Sequence, residues 1–163
     1  MKKFKLTSEF IVDISGVKLF RIKALIEFGN VKAGDLGGYI EKEENLSHMD
    51  DAWVSDDARI SGNAQVFGNA WVFGNARVFG DAQVSGDARV SGDKDYAYAH
   101  GFGSCNRTTT FFRLKDGDVG VRCGCFYGTL AQFRDKVCET HGETKKAQEY
   151  LMLADLMEIR FKN

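Results

Sequence analysis

A mainly β chain wound as a parallel β-helix is what this sequence predicts, and its repeats and its non-repeating flanks carry that prediction. Residues 51–92 repeat every six positions, reading DAWVSD, DARISG, NAQVFG, NAWVFG, NARVFG, DAQVSG and DARVSG. Every copy opens on Asn or Asp, carries Ala second and Val or Ile fourth; six of the seven close on Gly, with Asp56 in that place in the first. Such a period is too short for a helical repeat and is that of parallel β-helices. The flanks abandon the period. They are expected to cap the coil, because an open end exposes unpaired backbone groups and invites edge-to-edge growth.

Residues 1–50 read as a strand-rich cap. Phe10–Ile14, a Ser15-Gly16 turn and Val17–Phe28 form an extended hairpin pattern, with Phe20, Ile22, Ala24, Ile26 and Phe28 on one apolar face. Asp35–Ile40 then leads through Glu41–Asn45 into the repeats. Ile40 and Leu46 already sit six apart, so coiling begins near residue 40. Residues 93–104, with Tyr96, Tyr98, His100, Gly101 and Gly103, break the period and read as a connector. Residues 105–163 read as a small ββαα module. Its strands are Thr108–Leu114 and Val119–Phe126, joined at Lys115-Asp116-Gly117-Asp118. Thr129 with Gln132 makes a capping box for a helix ending near His141, with Gly142 as its stop. A last helix, from about Lys145 to Ile159, gathers Ala147, Tyr150, Leu151, Ala154 and Met157 on one face.

With 163 residues, 44% apolar and 28% charged, the chain has room for one repeat module and a small companion. A net charge of −1 gives no long-range attraction for duplex nucleic acid or a membrane surface, so any anion site must be local. The opening Met1-Lys2-Lys3 resembles a signal-peptide start, but Lys5, Ser8, Glu9 and Asp13 interrupt the apolar run it needs. Four cysteines without such a signal are expected reduced, in a cytoplasm. Proline is absent.

The repeats resemble the hexapeptide-repeat proteins, whose resemblance implies a left-handed parallel β-helix and a homotrimer. In that family three hexapeptides make one triangular coil, so residues eighteen apart stack at about the 4.8 Å spacing of paired strands. Val54, Ile60, Val66, Val72, Val78, Val84 and Val90 then point inward with the alanines. The residues before them face outward in three columns: Trp53, Trp71 and Arg89; Arg59 and Arg77; Gln65 and Gln83. Phe67, Phe73 and Phe79 follow the valines, one per face at one level. That belt predicts a trimer interface or the docking of a terminal module. Trp53, Trp71, Arg59, Arg77 and Arg89 stabilise a surface or, in the sharper reading, bind a nucleotide-like anion by stacking and by planar charge.

Many proteins of that family are coenzyme A-dependent acyltransferases with a histidine base. His48, His100 and His141 are the candidates. His48 falls in the cap and His141 suits a helix C-terminus, which leaves His100 as the base if the chain transfers acyl groups. Residues 51–92 lack the inserted loop near which that base sits in the family, so a non-enzymatic reading leads and no cofactor is expected. Cys123 and Cys125 alternate on one strand and face one way, while Cys138 and His141 share a helical face. Without paired knuckles they read as core rather than as a metal site.

Beyond the repeats, Phe20–Leu25, Gly34–Glu41, Cys123–Phe126 and Gly128-Thr129-Leu130 are similar to bacteriophage and prophage proteins of this repeat class. The resemblance implies a phage accessory protein that acts in the host cytoplasm. Such a protein blunts host defence by binding a host protein or sequestering a nucleotide-like signal. The alternatives are the acyltransferase and a structural virion component.

Overall fold

The computed structural model describes residues 2–103 and 107–162; the expected boundary between connector and module, at residues 104 and 105, lies outside them. The chain enters through an antiparallel hairpin, β1 (Phe4–Val12) and β2 (Lys18–Ala24), with β3 (Leu36–Ile40) beside β2. Strand β1 starts six residues earlier than the apolar run at Phe10 suggests. Strand β2 stops at Ala24, so Ile26 and Phe28 leave the sheet.

Seven two-residue strands follow: β4 (Trp53–Val54), β5 (Arg59–Ile60), β6 (Gln65–Val66), β7 (Trp71–Val72), β8 (Arg77–Val78), β9 (Gln83–Val84) and β10 (Arg89–Val90). Each pairs in parallel with the strand three places on and never with its neighbour in sequence, which gives a three-sided β-solenoid. The register is eighteen residues, with Trp53 beside Trp71, Arg59 beside Arg77 and Gln65 beside Gln83. Val54, Ile60, the five valines from Val66 to Val90 and the seven repeat alanines are all completely buried. Burying a valine side chain is worth about 1.5–3 kcal/mol, so the inward column alone outweighs any single surface contact.

Corners need left-handed backbone, and Gly62, Gly68, Gly74, Gly80 and Gly86 supply it with φ between +63° and +68°. Asp56 takes the same conformation at +57°, and its carboxylate accepts the Gly74 N–H at 3.1 Å, one coil below. The last repeat departs: Gly92 is extended, with φ −162°.

Ile40 lies beside Ile60 and Leu46 bridges to Val66, offsets of twenty rather than eighteen. The two extra residues fall between Leu46 and Ala52, where Asp50 has φ +55°. His48 consequently sits in the cap, stacked on Phe4 at 4.2 Å, its Nδ1 accepting the Lys3 N–H at 3.0 Å and its Nε2 beside Glu43 at 2.7 Å. Strand β3 lies flush on the coil because a Cβ on Gly37 would come 2.5 Å from the Val54 carbonyl, and one on Gly38 2.7 Å from that of Ala58.

The C-terminal part differs from the expected connector and ββαα module. Residues 96–102 are themselves strand β11 (Tyr96–Phe102), paired antiparallel with β12 (Arg107–Arg113). The expected second strand is two, β13 (Val119–Cys123) and β14 (Phe126–Thr129), because Gly124 at φ +60° folds the chain back. The sheet is thus four-stranded and carries α1 (Leu130–His141) and α2 (Lys145–Arg160). Thr129 and Gln132 form the reciprocal cap of α1, at 3.2 and 2.9 Å, and Gly142 ends it. Adjacent residues of a strand face opposite ways: Phe112 joins the solenoid core beneath Val90, whereas Phe111 joins a second core with Phe133, Tyr150 and Ala154.

Candidate functional site

The hairpin and the solenoid share one sheet, in the order β1-β2-β3-β5-β8, and its register lines up outward side chains from both. Arg21 lies beside Tyr39, Tyr39 beside Arg59 and Arg59 beside Arg77. The first pair is satisfied: the Arg21 guanidinium donates to the Tyr39 hydroxyl at 2.6 Å and pairs with Glu9 at 2.7 Å. The Tyr39 hydroxyl first, and Glu9 after it, raise Arg21 above the ordinary arginine value against the effect of burial.

Arg59 and Arg77 are different. Among the described residues neither guanidinium has a hydrogen bond or a carboxylate within ion-pair distance, although strand pairing holds the two side by side. The hairpin turn overhangs them. Asp13, Ile14, Ser15 and Leu19 face Arg59, Ser61, Arg77 and Phe79 across a cleft of about 410 Å³. The turn is itself ordered by Asp13, whose carboxylate accepts the Ser15 N–H at 2.9 Å and the Val17 N–H at 3.0 Å. Those bonds hold Asp13 below the usual carboxylate range, the Val17 amide most, with the charge of Arg59 adding to it.

The tryptophan column is in register but not open. Trp53 is only 3% exposed, since Phe28 packs edge-on at 5.3 Å. Arg89 spends its Nη1 on the Asn69 and Ala88 carbonyls, both at 2.9 Å, and lays its guanidinium 5.8 Å from the centre of the Trp71 ring. Of the five residues expected to contact a ligand, Arg59 and Arg77 stay open, Trp71 and Arg89 occupy each other, and Trp53 belongs to the cap. Nothing in the repeat pattern announces Phe28, Arg21 or the hairpin turn at this face, because all three come from outside the repeat.

The phenylalanine belt is used largely within the chain. Arg122 of β13 lies 5.1 Å over the Phe67 ring, and Tyr98 of β11 meets Phe79 edge-on at 6.4 Å. Phe73 is half-buried. Docking of the C-terminal module therefore accounts for two of the three rings. Phe79 keeps half of its surface open at the rim of the arginine cleft.

His100 is exposed on β11, its Nδ1 2.7 Å from the Thr108 hydroxyl; among the described residues no carboxylate orients its ring. The cysteines do not face one way. Cys123 is buried, accepting from the Thr109 hydroxyl at 3.3 Å and donating to that of Tyr150 at 3.7 Å, whereas the turn at Gly124 leaves Cys125 exposed, as is Cys138 on α1. Among the described cysteines, core packing thus describes Cys123 alone. No three His, Cys, Asp or Glu side chains among the described residues converge as metal ligands. No described helix is long and apolar enough to cross a membrane.

A family model described as the YdcK beta solenoid repeat matches residues 58–73 and 82–93. Both stretches lie in or just beyond the coil, so the likeness covers the repeat and none of the hairpin or the C-terminal sheet. No curated protein matches the chain.

Proposed function

We propose that the chain is a non-enzymatic binding scaffold whose Arg59–Arg77 cleft takes a phosphate-bearing, nucleotide-like anion. The observation that carries this reading is the pair of unpaired guanidiniums fixed in adjacent strands. Two like charges carried on adjacent strands repel, and a bridging anion turns that repulsion into attraction. Arginine's planar fork suits phosphate oxygens, the Ser61 side chain lines the same cleft, and the open half of Phe79 offers a ring to a base. A completely buried inward column makes the coil rigid, so the backbone that carries the two charges needs no ordering on binding.

A left-handed coil and a homotrimer belong to the same reading, supported by the six-residue repeat and the glycine corners. Two faces of the coil are overhung, one by the hairpin turn and one by residues 43–48 and 122–124. A trimer is accordingly assigned to the Trp71–Arg89–Phe73 face. Anion capture in a host cytoplasm suits a phage accessory protein. His100, with a hydroxyl as its partner and no carboxylate among the described residues, favours binding over acyl transfer.

Calorimetric titration with ATP and with inorganic tripolyphosphate tests the cleft. Both are expected to bind, more weakly as salt rises, and Arg59→Gln with Arg77→Gln is expected to weaken both at least about tenfold, as loss of charge-assisted bonds does. No binding by the native chain, or equal binding by the double variant, refutes the site. Native mass spectrometry reads the trimer directly.

A further inference from the structure

A second groove, independent of the arginine cleft, runs along the glutamine face. Its floor is Gln65 and Gln83, in register on β6 and β9. One wall is the cap segment Glu43–His48; the other is Arg122 with the turn at Gly124. The upper part encloses about 690 Å³. A lower part of about 390 Å³ shares Gln65, Gln83 and Gly124 with it and continues past Arg107.

Unmet hydrogen-bonding capacity gathers here. Among the described residues the carboxamides of Gln65 and Gln83 make no hydrogen bond, and the guanidiniums of Arg107 and Arg122 meet no carboxylate. The Nε of Arg122 is buried without an acceptor, while the side chain is held flat on Phe67. That N–H is shut off from solvent, so the Nη groups, which make no hydrogen bond among the described residues, are the donors that can meet an oxygen supplied from the groove. Gly124 keeps the site open on this side, since a Cβ there would collide with the Arg107 guanidinium.

The charges select the ligand. Glu43 and Glu44 on the cap wall, with Asp81 at the lower end, outnumber the two arginines. A doubly charged phosphate gains little there. Glu43 is already engaged by Lys2 at 3.1 Å and by His48 at 2.7 Å, so a single carboxylate on Arg122 meets less repulsion than a phosphate does, and the carboxamides match peptide N–H and C=O groups, each offering a donor and an acceptor. We propose that this groove binds an extended peptide segment of a partner protein, anchored by one Asp or Glu on Arg122 and read along its backbone by Gln65 and Gln83.

The test is an array of random nine-residue peptides carrying a fixed central Glu, with Gln-substituted copies, probed with the labelled intact chain. Glu peptides are expected to bind at least about tenfold better than their Gln copies, the gap typical of a charge-assisted bidentate pair. Gln65→Ala with Gln83→Ala should weaken all peptides alike, and Arg59→Gln with Arg77→Gln should change nothing. Arg122→Lys keeps the charge and removes the planar fork of donors; with an unchanged melting temperature it should erase the Glu preference. Equal binding of Glu and Gln copies, no binding to the array, or displacement of the peptides by ATP each overturns the proposal.

Discussion

Lys3 shows how a residue without any sequence signal becomes structural. It is 1% exposed, and its Nζ reaches the carbonyls of Ala52 at 2.7 Å, Asp50 at 3.2 Å and Met49 at 3.5 Å, 4.5 Å from the centre of the Phe28 ring. Read as sequence, it was one of two lysines in a possible signal start. Burial lowers its pKa to about 8, against the raising effect of Asp51 and Asp50. The folded chain thus gives up this proton earlier than the unfolded chain does. From pH about 8 to the ordinary lysine value of 10.5 the unfolded state holds more protons, so this group makes stability rise with pH across that window. The full gain is at most about 3 kcal/mol. Below pH about 8 both states hold the proton, and the charged form bears the whole desolvation cost. Lys3→Met should lower stability overall, by stripping three carbonyls of their donor, and flatten that rise. Urea unfolding of both forms at pH 7.5 and pH 10 measures it; an equal pH response in the two removes Lys3 as the cause. At the same scale Arg59 and Arg77 were legible because the six-residue period, taken with the three-repeat coil that the family resemblance implies, sets their register. The burial of Trp53 was not, since Phe28 lies outside the repeat and no period links them.

Among elements, the corner turns were the most legible and the C-terminal strands the least. A six-residue period ending in glycine announces a left-handed corner at a known position, but it does not announce where corners cease. Gly74 and Gly92 close two repeats with the same letter. At Gly74 φ is +63°, and a Cβ would stand 2.8 Å from the Ser91 carbonyl; at Gly92 the backbone is extended and nothing lies within 4 Å. Gly74→Ala should therefore cost about 2 kcal/mol or more, a left-handed penalty of roughly 1–2 kcal/mol per residue plus the clash, whereas Gly92→Ala should be neutral or slightly stabilising. Thermal unfolding of the two variants decides it, and equal losses would show that Gly92 is a corner after all. Strand β11 was missed because Gly101 and Gly103 read as loop punctuation, and what makes Tyr96–Phe102 a strand is its antiparallel pairing with β12, from Phe102 beside Arg107 to Tyr96 beside Phe112. The split of β13 from β14 rests on a single backbone angle, at Gly124. Periodicity carries no such information.

At the scale of the molecule, the solenoid is a column open at both ends, and the flanking segments close them differently. Above, β3 continues the ladder of β5 and β8 into the hairpin, and Leu46 bridges to Val66 on a second face. Below, closure is made by side chains and a few crossing bonds. Phe112 and Tyr96 enter the core under Val90, the Thr110 hydroxyl accepts the Gln83 N–H at 3.0 Å, Lys115 donates to the Asp87 carbonyl at 2.9 Å, and Ala88 bridges Leu114. Burial pushes the Tyr96 phenol well above its ordinary pKa, although its bond to the Phe79 carbonyl opposes that shift. A chain cut after Gly92 loses every one of these contacts and leaves the lower edges of β8, β9 and β10 unpaired beneath a wholly apolar core. Exposed edges of that kind pair with one another, so the truncated chain should elute as large, concentration-dependent species in size-exclusion chromatography. Phe112→Ala in the full chain is the milder form of the same injury. Emptying a buried phenylalanine site costs about 3–5 kcal/mol, and here the loss falls at the joint between two cores, so unfolding followed by circular dichroism should separate into a helical step and a later solenoid step. If the truncated chain instead remains a discrete species and Phe112→Ala unfolds in one step at the native midpoint, the lower cap is dispensable and the solenoid stands without it.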